Sequence, residues 1–195
     1  KIKKIKIIYL KKNKGTGYCR NLAIKKSRSN YIAFIDSDDL WQKKKLKLQI
    51  NFMQENNYCF TYTNYKTFKI NSFIKNTILV PAKFNFKSFI KNTSIATSTM
   101  IIKRSVTNKI RFSDTKICED YFYKCQLLKR IGNAYCYPRY LTDYQIRKNS
   151  LQSSRIRNLY WIWKINKRLN RLSILENLIS IFFISLNSLK KYGFR

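Results

Sequence analysis

A continuous apolar segment, Tyr31–Ile35, runs directly into the acidic turn Asp36–Asp39. An unbroken apolar run of this length predicts a β-strand that is buried on both faces, as in a parallel sheet. Helical patterns flank it, over Thr16–Ser27 before and Trp41–Glu55 after. This alternation favours an α/β fold with crossover helices on a mostly parallel sheet. In such sheets ligands bind where the strands end, and the acidic turn lies at such an end.

The rest of the pattern predicts further short elements and a distinct carboxy-terminal segment. We expect residues 1–150 to form the α/β body and residues 151–195 to form an amphipathic helical appendage. Helix Trp41–Glu55 is expected to turn Leu40, Leu48 and Phe52 inward. The other predicted elements are strands at Ile5–Leu10, Tyr58–Tyr62, Lys66–Ile70, Thr97–Ile102, Ala134–Tyr137 and Leu141–Ile146, and helices at Phe86–Lys91, Glu119–Ile131, Arg155–Asn170 and Ser173–Lys191.

Acidic residues are rare in this chain, and most of them are clustered. There are 9 Asp and Glu against 41 Lys and Arg, and five of the nine fall within Asp36–Asp39 and the pair Glu119-Asp120. Neighbouring carboxylates repel one another unless something neutralises them, and a divalent cation commonly does so. The clusters therefore indicate an enzyme with a metal ion at the end of the Tyr31–Ile35 strand. The alternative is that these acids cap the helices that follow them.

The net charge of +32 does not by itself identify a binding partner. Clustered cations bind the phosphates of nucleic acids, but here the basic residues are spread along the whole chain and form no arginine-rich recognition helix. The codon bias of an AT-rich genome also explains the charge, as does adhesion to an anionic membrane or a polyanionic substrate. We expect no specific binding of nucleic acid.

The cysteine and histidine content limits the catalytic groups and metal sites that the chain can have. Five scattered cysteines without a CxxC pair indicate reduced thiols in the cytoplasm rather than disulfides or a zinc site. The chain has no histidine, which excludes every catalytic triad or metal site that depends on one. Catalysis must then rest on carboxylates, hydroxyls, lysine or tyrosine.

The carboxy-terminal segment reads as amphipathic rather than membrane-spanning. Its most apolar part, Ile179–Leu186, is far shorter than the roughly 20 residues needed to cross a bilayer. A largely polar stretch, residues 187–191, follows it. Two arrangements fit this pattern: packing against the protein's own body, or lying in a membrane interface.

Several short motifs follow one another along the chain. They are NKGTGYCRN from Asn13, YIAFIDSDDLW from Tyr31, KLKLQINFM, TYTNY, NTSIATSTMIIKR, ICEDYFYKCQLLKRIG and LTDYQIRKNSLQSS. In this order, and over nearly the whole chain, they resemble family 2 glycosyltransferases of the GT-A fold, which is an α/β/α sandwich. The resemblance is greatest to bacterial enzymes that build capsule, lipopolysaccharide or teichuronic-acid-type glycans.

The resemblance implies transfer of a sugar, with inversion, from a nucleotide-diphospho-sugar to a glycan or lipid-linked acceptor. It implies that Asp36 and Asp38 bind Mg²⁺ or Mn²⁺ on the donor diphosphate. It also implies that Asp120 deprotonates the acceptor hydroxyl, with Glu119 orienting the site. The residues implied in donor binding are Asn13, Gly15, Arg20, Asn21, Asp36, Asp38 and Arg147.

The sequence departs from the family pattern in two places. Nothing matches the segment that contacts the nucleotide base or the following strand with its Asp pair, so we expect an amino-terminally truncated GT-A domain. Gln145 and Arg147 stand where many relatives place Arg and His. Three alternatives follow: an enzyme in the cytoplasm, peripheral at the inner face of the membrane; a truncated, inactive remnant; or a basic module that binds nucleic acid or a membrane.

Overall fold

A computed structural model of the chain describes residues 5–69, 72–147 and 154–192. Within them lie six α-helices, seven strands and two 3₁₀ turns. The helices are α1 (Thr16–Lys26), α2 (Lys45–Glu55), α3 (Phe86–Phe89), α4 (Glu119–Ile131), α5 (Arg155–Arg168) and α6 (Ile174–Tyr192). The strands are β1 (Tyr31–Ala33), β2 (Leu40–Trp41), β3 (Phe60–Lys69), β4 (Ser72–Ile78), β5 (Lys83–Asn85), β6 (Ile101–Lys103) and β7 (Asn133–Gln145), and the 3₁₀ turns are Thr97–Thr99 and Arg104–Thr107.

All seven described strands belong to one sheet. β1, β6, β3, β7 and β2 lie side by side in that order, while β4 pairs with β3 and β5 with β7. Only β3 and β7 pair in parallel, and the other five described pairings are antiparallel. The expectation of a mostly parallel sheet is therefore wrong for the described residues. Two of the antiparallel pairings come from β6, which lies between β1 and β3 and runs opposite to both. The strands β1 and β3 therefore keep the common direction of a strand–helix–strand unit without being neighbours. The other three come from β2, β4 and β5, which pair with β7 or β3.

Several predicted strands differ from the structure. Residues 5–10 have no regular structure and expose their apolar side chains, since no described strand lies beside them to pair with their backbone. The two strands predicted between Tyr58 and Ile70 are the single strand β3, and the two predicted late strands are the single strand β7. Register shifts between β3 and β7 interrupt the alternation that would reveal one long strand. The strand predicted from Thr97 begins only at Ile101, because a 3₁₀ turn precedes it.

Helix α2 turns polar side chains toward the core. It begins at Lys45 rather than Trp41, because Leu40 and Trp41 form strand β2 against β7. Its buried residues are Lys45, Gln49 and Met53. The expectation that Leu40 points inward is wrong, since this side chain is exposed, and the other two predicted inward residues are half-buried. Helix α4, by contrast, begins and ends at the predicted residues.

An aromatic cluster fixes the end of β1 against helix α4. Phe112 stacks on Tyr123 of α4 with ring centroids 4.0 Å apart. Phe34, just after β1, packs edge-on against both rings, at 5.5 Å from Phe112 and 6.1 Å from Tyr123. Edge-to-face and offset contacts of this kind stabilise beyond the area they bury, by about 1 kcal/mol each. The acidic turn that follows Phe34 is therefore held close to the start of α4.

The carboxy-terminal helices pack on the body through apolar side chains, among them Ile165 and Ile184, and through polar ones. Tyr121 OH of α4 donates to Asn166 Oδ1 of α5 at 2.7 Å, and Asn166 Nδ2 donates to Asn177 Oδ1 and Ser180 Oγ of α6. Ser180 Oγ donates to the Ile90 carbonyl at 2.6 Å. None of the described helices has the length and hydropathy of a membrane span. The α/β class with carboxy-terminal helices is confirmed, whereas the boundary at residue 150 lies outside the described residues and stays a prediction.

Candidate active site

The acidic turn after β1 is tied to two neighbouring elements. The Asp36 backbone N–H donates to Ser98 Oγ at 3.1 Å, and the Asp39 backbone N–H donates to the Asp36 carbonyl at 3.0 Å. Asp39 is buried, and its Oδ1 accepts from the Gln145 backbone N–H of β7 at 2.9 Å. Burial raises the pKa of Asp39 to about 6. Asp39 therefore anchors the turn to the sheet instead of capping α2, which begins only at Lys45.

Arg20, in the first turns of α1, joins the two acidic clusters. Its NH1 donates to Glu119 Oε1 at 2.8 Å and its NH2 donates to Asp36 Oδ1 at 2.6 Å. Burial lowers the pKa of Arg20, but the charges of Asp36 and Asp120 raise it more strongly, so the guanidinium stays charged. Burial and the charge of Asp120 raise the pKa of Glu119, and Arg20 opposes this shift. One guanidinium thus holds together α1, the acidic turn and the start of α4.

Gly17 lets α1 approach the site closely. A Cβ at this position would lie 2.6 Å from the Ser113 carbonyl and 3.2 Å from Glu119 Cγ, which is closer than side chains normally pack. Gly15, the glycine that the sequence singled out, has a φ of 80° and open space around it. The close approach that orients Arg20 therefore depends on Gly17, which was not among the predicted site residues.

Asp120 is held in place as a charged carboxylate. Its Oδ2 accepts from Thr97 Oγ1 at 2.8 Å and from Lys124 Nζ at 2.7 Å. Burial raises the pKa of Asp120, but Lys124 and Arg20 together outweigh it, so the pKa lies well below its usual range. Lys124 also donates to the Ile95 carbonyl at 2.8 Å. Lys124 was not predicted as a site residue, although its i, i+4 spacing from Asp120 on a helix indicates such a pair.

The 3₁₀ turn Thr97–Thr99 contacts both acidic clusters. Thr97 binds Asp120, and Ser98 Oγ accepts from the Asp36 backbone. The Ser98 carbonyl also accepts from Trp41 Nε1 at 2.7 Å. These residues lie in the motif NTSIATSTMIIKR, but nothing in a single sequence distinguishes them from its other hydroxyl side chains. The turn fixes the spacing between the end of β1 and the start of α4.

A buried lysine of α2, Lys45, is hydrogen-bonded to the 3₁₀ turn Thr97–Thr99. Lys45 is fully buried, and its Nζ donates to the Thr99 carbonyl at 3.1 Å and to Gln49 Oε1 at 2.6 Å. Gln49 Nε2 donates to the same carbonyl at 3.0 Å and to Thr61 Oγ1 at 3.1 Å. Helix α2 is thereby hydrogen-bonded to the turn through two side chains.

Lys45→Met is expected to flatten the pH dependence of stability between pH 7 and 9. Burial lowers the pKa of Lys45 from 10.5 to about 7, so in this range the unfolded state binds a proton that the folded state does not. Stability then rises with pH by up to about 1.4 kcal/mol per unit, and the lysine-free variant lacks this rise. Urea unfolding at both pH values measures it, with the exposed Lys47→Met as control. Equal slopes for the wild type and Lys45→Met would contradict the prediction.

The remaining predicted site residues make contacts in three separate places. Arg147 Nε lies 3.0 Å from Asp38 Oδ2, which brings both predicted donor-binding residues together. Asn13 Oδ1 accepts from the Gly15 backbone N–H at 2.9 Å in an exposed loop. Asn21 uses its amide to donate to the Phe112 carbonyl and to accept from its N–H, each at 2.9 Å, so it holds α1 in place. The participation of these residues in donor binding stays a prediction.

The oxygen ligands of the acidic turn suit a hard divalent cation. The Asp36 and Asp38 side chains are 37% and 24% exposed, and each meets its arginine through one carboxylate oxygen. The second oxygen of each can be offered to a cation. Magnesium usually binds one or two carboxylates and completes its shell with water and substrate phosphates. Since the described residues include no group of three or more acidic or cysteine ligands, a substrate phosphate would have to complete the shell.

An ionised carboxylate lies beside a partly exposed acidic turn, and cationic side chains contact both. This arrangement suits an anionic ligand. Residues 1–122 match the profile of Glycosyl transferase family 2. The chain belongs to this family, which confirms the predicted glycosyltransferase class and GT-A fold.

Curated relatives extend the similarity along the chain. The chain is 28% identical over 189 residues to TuaG of Bacillus subtilis, named as a teichuronic acid biosynthesis glycosyltransferase; the match covers 96% of this chain and 75% of the relative. It is 31% identical over 196 residues to WfaP of Escherichia coli, named UDP-Glc:alpha-D-GlcNAc-diphosphoundecaprenol beta-1,3-glucosyltransferase. That match covers 100% of this chain and 77% of the relative.

A solved structure shows the same fold. The S. aureus protein TarS, residues 1–349 in complex with UDP-GlcNAc, superposes with a TM-score of 0.66 at 18% identity. The superposition covers 94% of this chain and 58% of that one. The chain thus spans a little over half of the TarS fragment and about three quarters of the two curated relatives.

Proposed function

We propose that this chain transfers a sugar from a nucleotide-diphospho-sugar to an acceptor hydroxyl, with inversion at the anomeric carbon. The observation that carries the proposal is the junction of two acidic clusters across Arg20. On one side Asp36 and Asp38 are partly exposed at the end of β1, as a donor site requires. On the other side Asp120 is ionised and fixed, as a base requires. A donor and an acceptor site adjoin in this arrangement.

Asp120 is the proposed general base. Its Oδ2 is occupied by Thr97 and Lys124, so its Oδ1 would accept the proton of the acceptor hydroxyl. As that proton leaves, the hydroxyl oxygen bonds to the anomeric carbon and the bond from this carbon to the donor diphosphate breaks. Attack opposite the leaving group inverts the configuration. The depressed pKa keeps the base ionised throughout the neutral range, and the proton passes to it as the attacking hydroxyl becomes acidic in the transition state.

Asp36, Asp38 and Arg147 are proposed to hold the donor diphosphate. Bound at the two carboxylates, Mg²⁺ or Mn²⁺ would offset the negative charge that develops on the leaving diphosphate. The Arg147 side chain is 54% exposed, so it can exchange Asp38 for a phosphate oxygen, to which a guanidinium binds strongly. Arg20 keeps Asp36 oriented while the donor binds.

We propose a lipid-linked glycan as the acceptor, in the synthesis of a bacterial cell-surface polysaccharide. The support is the name of WfaP, which specifies a sugar on diphosphoundecaprenol as its acceptor, and the name of TuaG, which specifies teichuronic acid. Since nucleotide sugars and free thiols both belong to the cytoplasm, we place the reaction at the inner face of the cytoplasmic membrane. The five cysteines are free in the structure.

A transfer assay tests the proposal. The purified chain is incubated with UDP-glucose or UDP-N-acetylglucosamine, Mg²⁺ or Mn²⁺, and a GlcNAc-diphospho-lipid acceptor, and the release of UDP and the extended lipid are measured. We expect the two products in equal amounts, and none when the metal is chelated. Failure with every UDP-sugar, by a chain whose melting curve shows that it is folded, would support the alternative of an inactive remnant.

A further inference from the structure

Helix α6 packs on the body with one side and exposes an apolar face on the other. The residues it buries are Asn177, Ser180 and Ile184. Its outward side chains are apolar and 36–67% exposed, at positions i, i+1, i+4, i+5 and onward, which form one face of a helix. This outer face of α6 consists of Ile174, Leu175, Leu178, Ile179, Phe182, Phe183 and Leu186. A contiguous apolar patch with two phenylalanines marks an interaction surface.

Cations border the outer face of α6. Lys91 Nζ lies 5.5 Å from the centroid of the Phe183 ring, and Lys190 follows Leu186 by one helical turn. Residues 154–192 contain eight lysines and arginines but a single acid, Glu176. An apolar strip edged with cations has the polarity and charge of a helix that lies in the interface of an anionic membrane.

The neighbouring helix α5 adds amphipathic side chains of the same kind. Lys164 Nζ lies 4.7 Å from the Tyr160 ring centroid and 5.3 Å from that of Trp161. Tyrosine, tryptophan and lysine are the side chains that settle at the boundary of lipid and water, because each combines an apolar body with a polar end.

The attachment of α6 to the body makes this surface part of the folded domain. Ser180 Oγ donates to the Ile90 carbonyl and Asn187 Nδ2 donates to the Lys91 carbonyl at 3.0 Å. The apolar strip is about 18 Å long at 1.5 Å per residue, so it would lie flat and bring the body with it. A second copy of the chain fits this surface less well, because two chains of net charge +32 repel each other.

We propose that the outer face of α6 lies in the interface of a membrane rich in anionic lipid. Its apolar side chains enter the acyl boundary, and the bordering lysines contact the headgroup phosphates. This inference extends the proposed location at a membrane. Its test requires no catalytic turnover, so the binding surface and the proposed transferase activity can fail separately.

Vesicle co-sedimentation of the full chain tests the surface. Vesicles of phosphatidylcholine with phosphatidylglycerol in equal amounts are compared with vesicles of phosphatidylcholine alone. The variant Leu178→Gln/Phe182→Gln removes two outward side chains, and Leu46→Gln/Leu79→Gln removes two exposed apolar side chains elsewhere. We expect the wild type and the control to bind anionic vesicles, and the α6 variant to bind them at least about tenfold more weakly.

Three results would overturn the inference. The first is equal binding of both variants to anionic vesicles, since charge alone would then explain adhesion. The second is no sedimentation of the wild type with anionic vesicles. The third is a wild-type dimer in analytical ultracentrifugation that the α6 substitutions convert to a monomer, because the outer face would then be covered by a second copy. Circular dichroism of both variants verifies that they remain folded.

Discussion

Asp120→Asn is expected to lower the rate of sugar transfer by about 10²–10⁴-fold, the range that a positioned base supplies. Asparagine keeps an oxygen for the hydrogen bond from Thr97 but cannot accept the acceptor's proton. Because the donor turn is unchanged, donor affinity should stay within about threefold of the wild type. The measurement is UDP release with saturating acceptor, combined with donor titration. The result separates loss of chemistry from loss of binding.

The matched control for this prediction is Asp114→Asn. Asp114 is exposed in the segment that precedes α4, so its amide variant makes the same change of charge outside the proposed site. We expect transfer by this variant to match the wild type. Full activity of Asp120→Asn, with the control also active, would assign the base to another residue. A lower transfer rate in both variants would show that the net charge near α4, and not a base at Asp120, causes the loss of activity.

Arg20→Met is expected to lower the free energy of unfolding by about 3 kcal/mol at pH 8. The substitution leaves Glu119 and Asp36 without the guanidinium that they share, and Glu119 is nearly buried. Burial already raises the pKa of Glu119, and losing Arg20 raises it further. A carboxyl group whose pKa is raised in the folded state stabilises that state at low pH, and this contribution is lost as the pH increases. The loss of unfolding free energy in the variant should therefore be smaller at pH 5 than at pH 8.

Urea unfolding at both pH values measures this deficit. The control is Arg28→Met, which removes an exposed arginine between α1 and β1 and should change stability by less than about 0.5 kcal/mol. The double variant Arg20→Met/Glu119→Gln should recover part of the loss, because it removes the carboxylate that lacks a partner. A deficit that is the same at both pH values, or no recovery in the double variant, would contradict a role for Arg20 as the bridge between the clusters.

Local sequence patterns predicted the parts of the fold that depend on residues close together in the chain. The strand before Asp36, the full extent of α4 and the two carboxy-terminal helices were predicted because apolar spacing and charge lie within one element. Membership of the family was predicted from the order of several motifs. The same order of motifs predicted five residues of the site: Arg20, Asp36, Asp38, Glu119 and Asp120.

Long-range pairing limited the rest of the prediction. The insertion of β6 between β1 and β3 depends on hydrogen bonds between distant segments, and the pattern of a three-residue strand does not specify its neighbour. Arg20 meets Glu119 across 99 positions, which no local signal could supply. Lys45 has the pattern of a solvated residue at the start of a basic helix, yet it is buried because the Thr99 carbonyl and Gln49 provide oxygens for the N–H groups of its side chain. Tertiary hydrogen bonds overrode the expected exposure in that case.

A donor site at the acidic turn is tested most directly by calorimetric titration of UDP into the purified chain, with and without Mn²⁺, and by the same titration of Asp38→Ala. We predict binding that requires the metal and weakens by at least about tenfold in the variant, because a metal-linked carboxylate contact is lost. Binding of equal strength with and without Mn²⁺, unaffected by Asp38→Ala, would contradict a donor site at the acidic turn after β1.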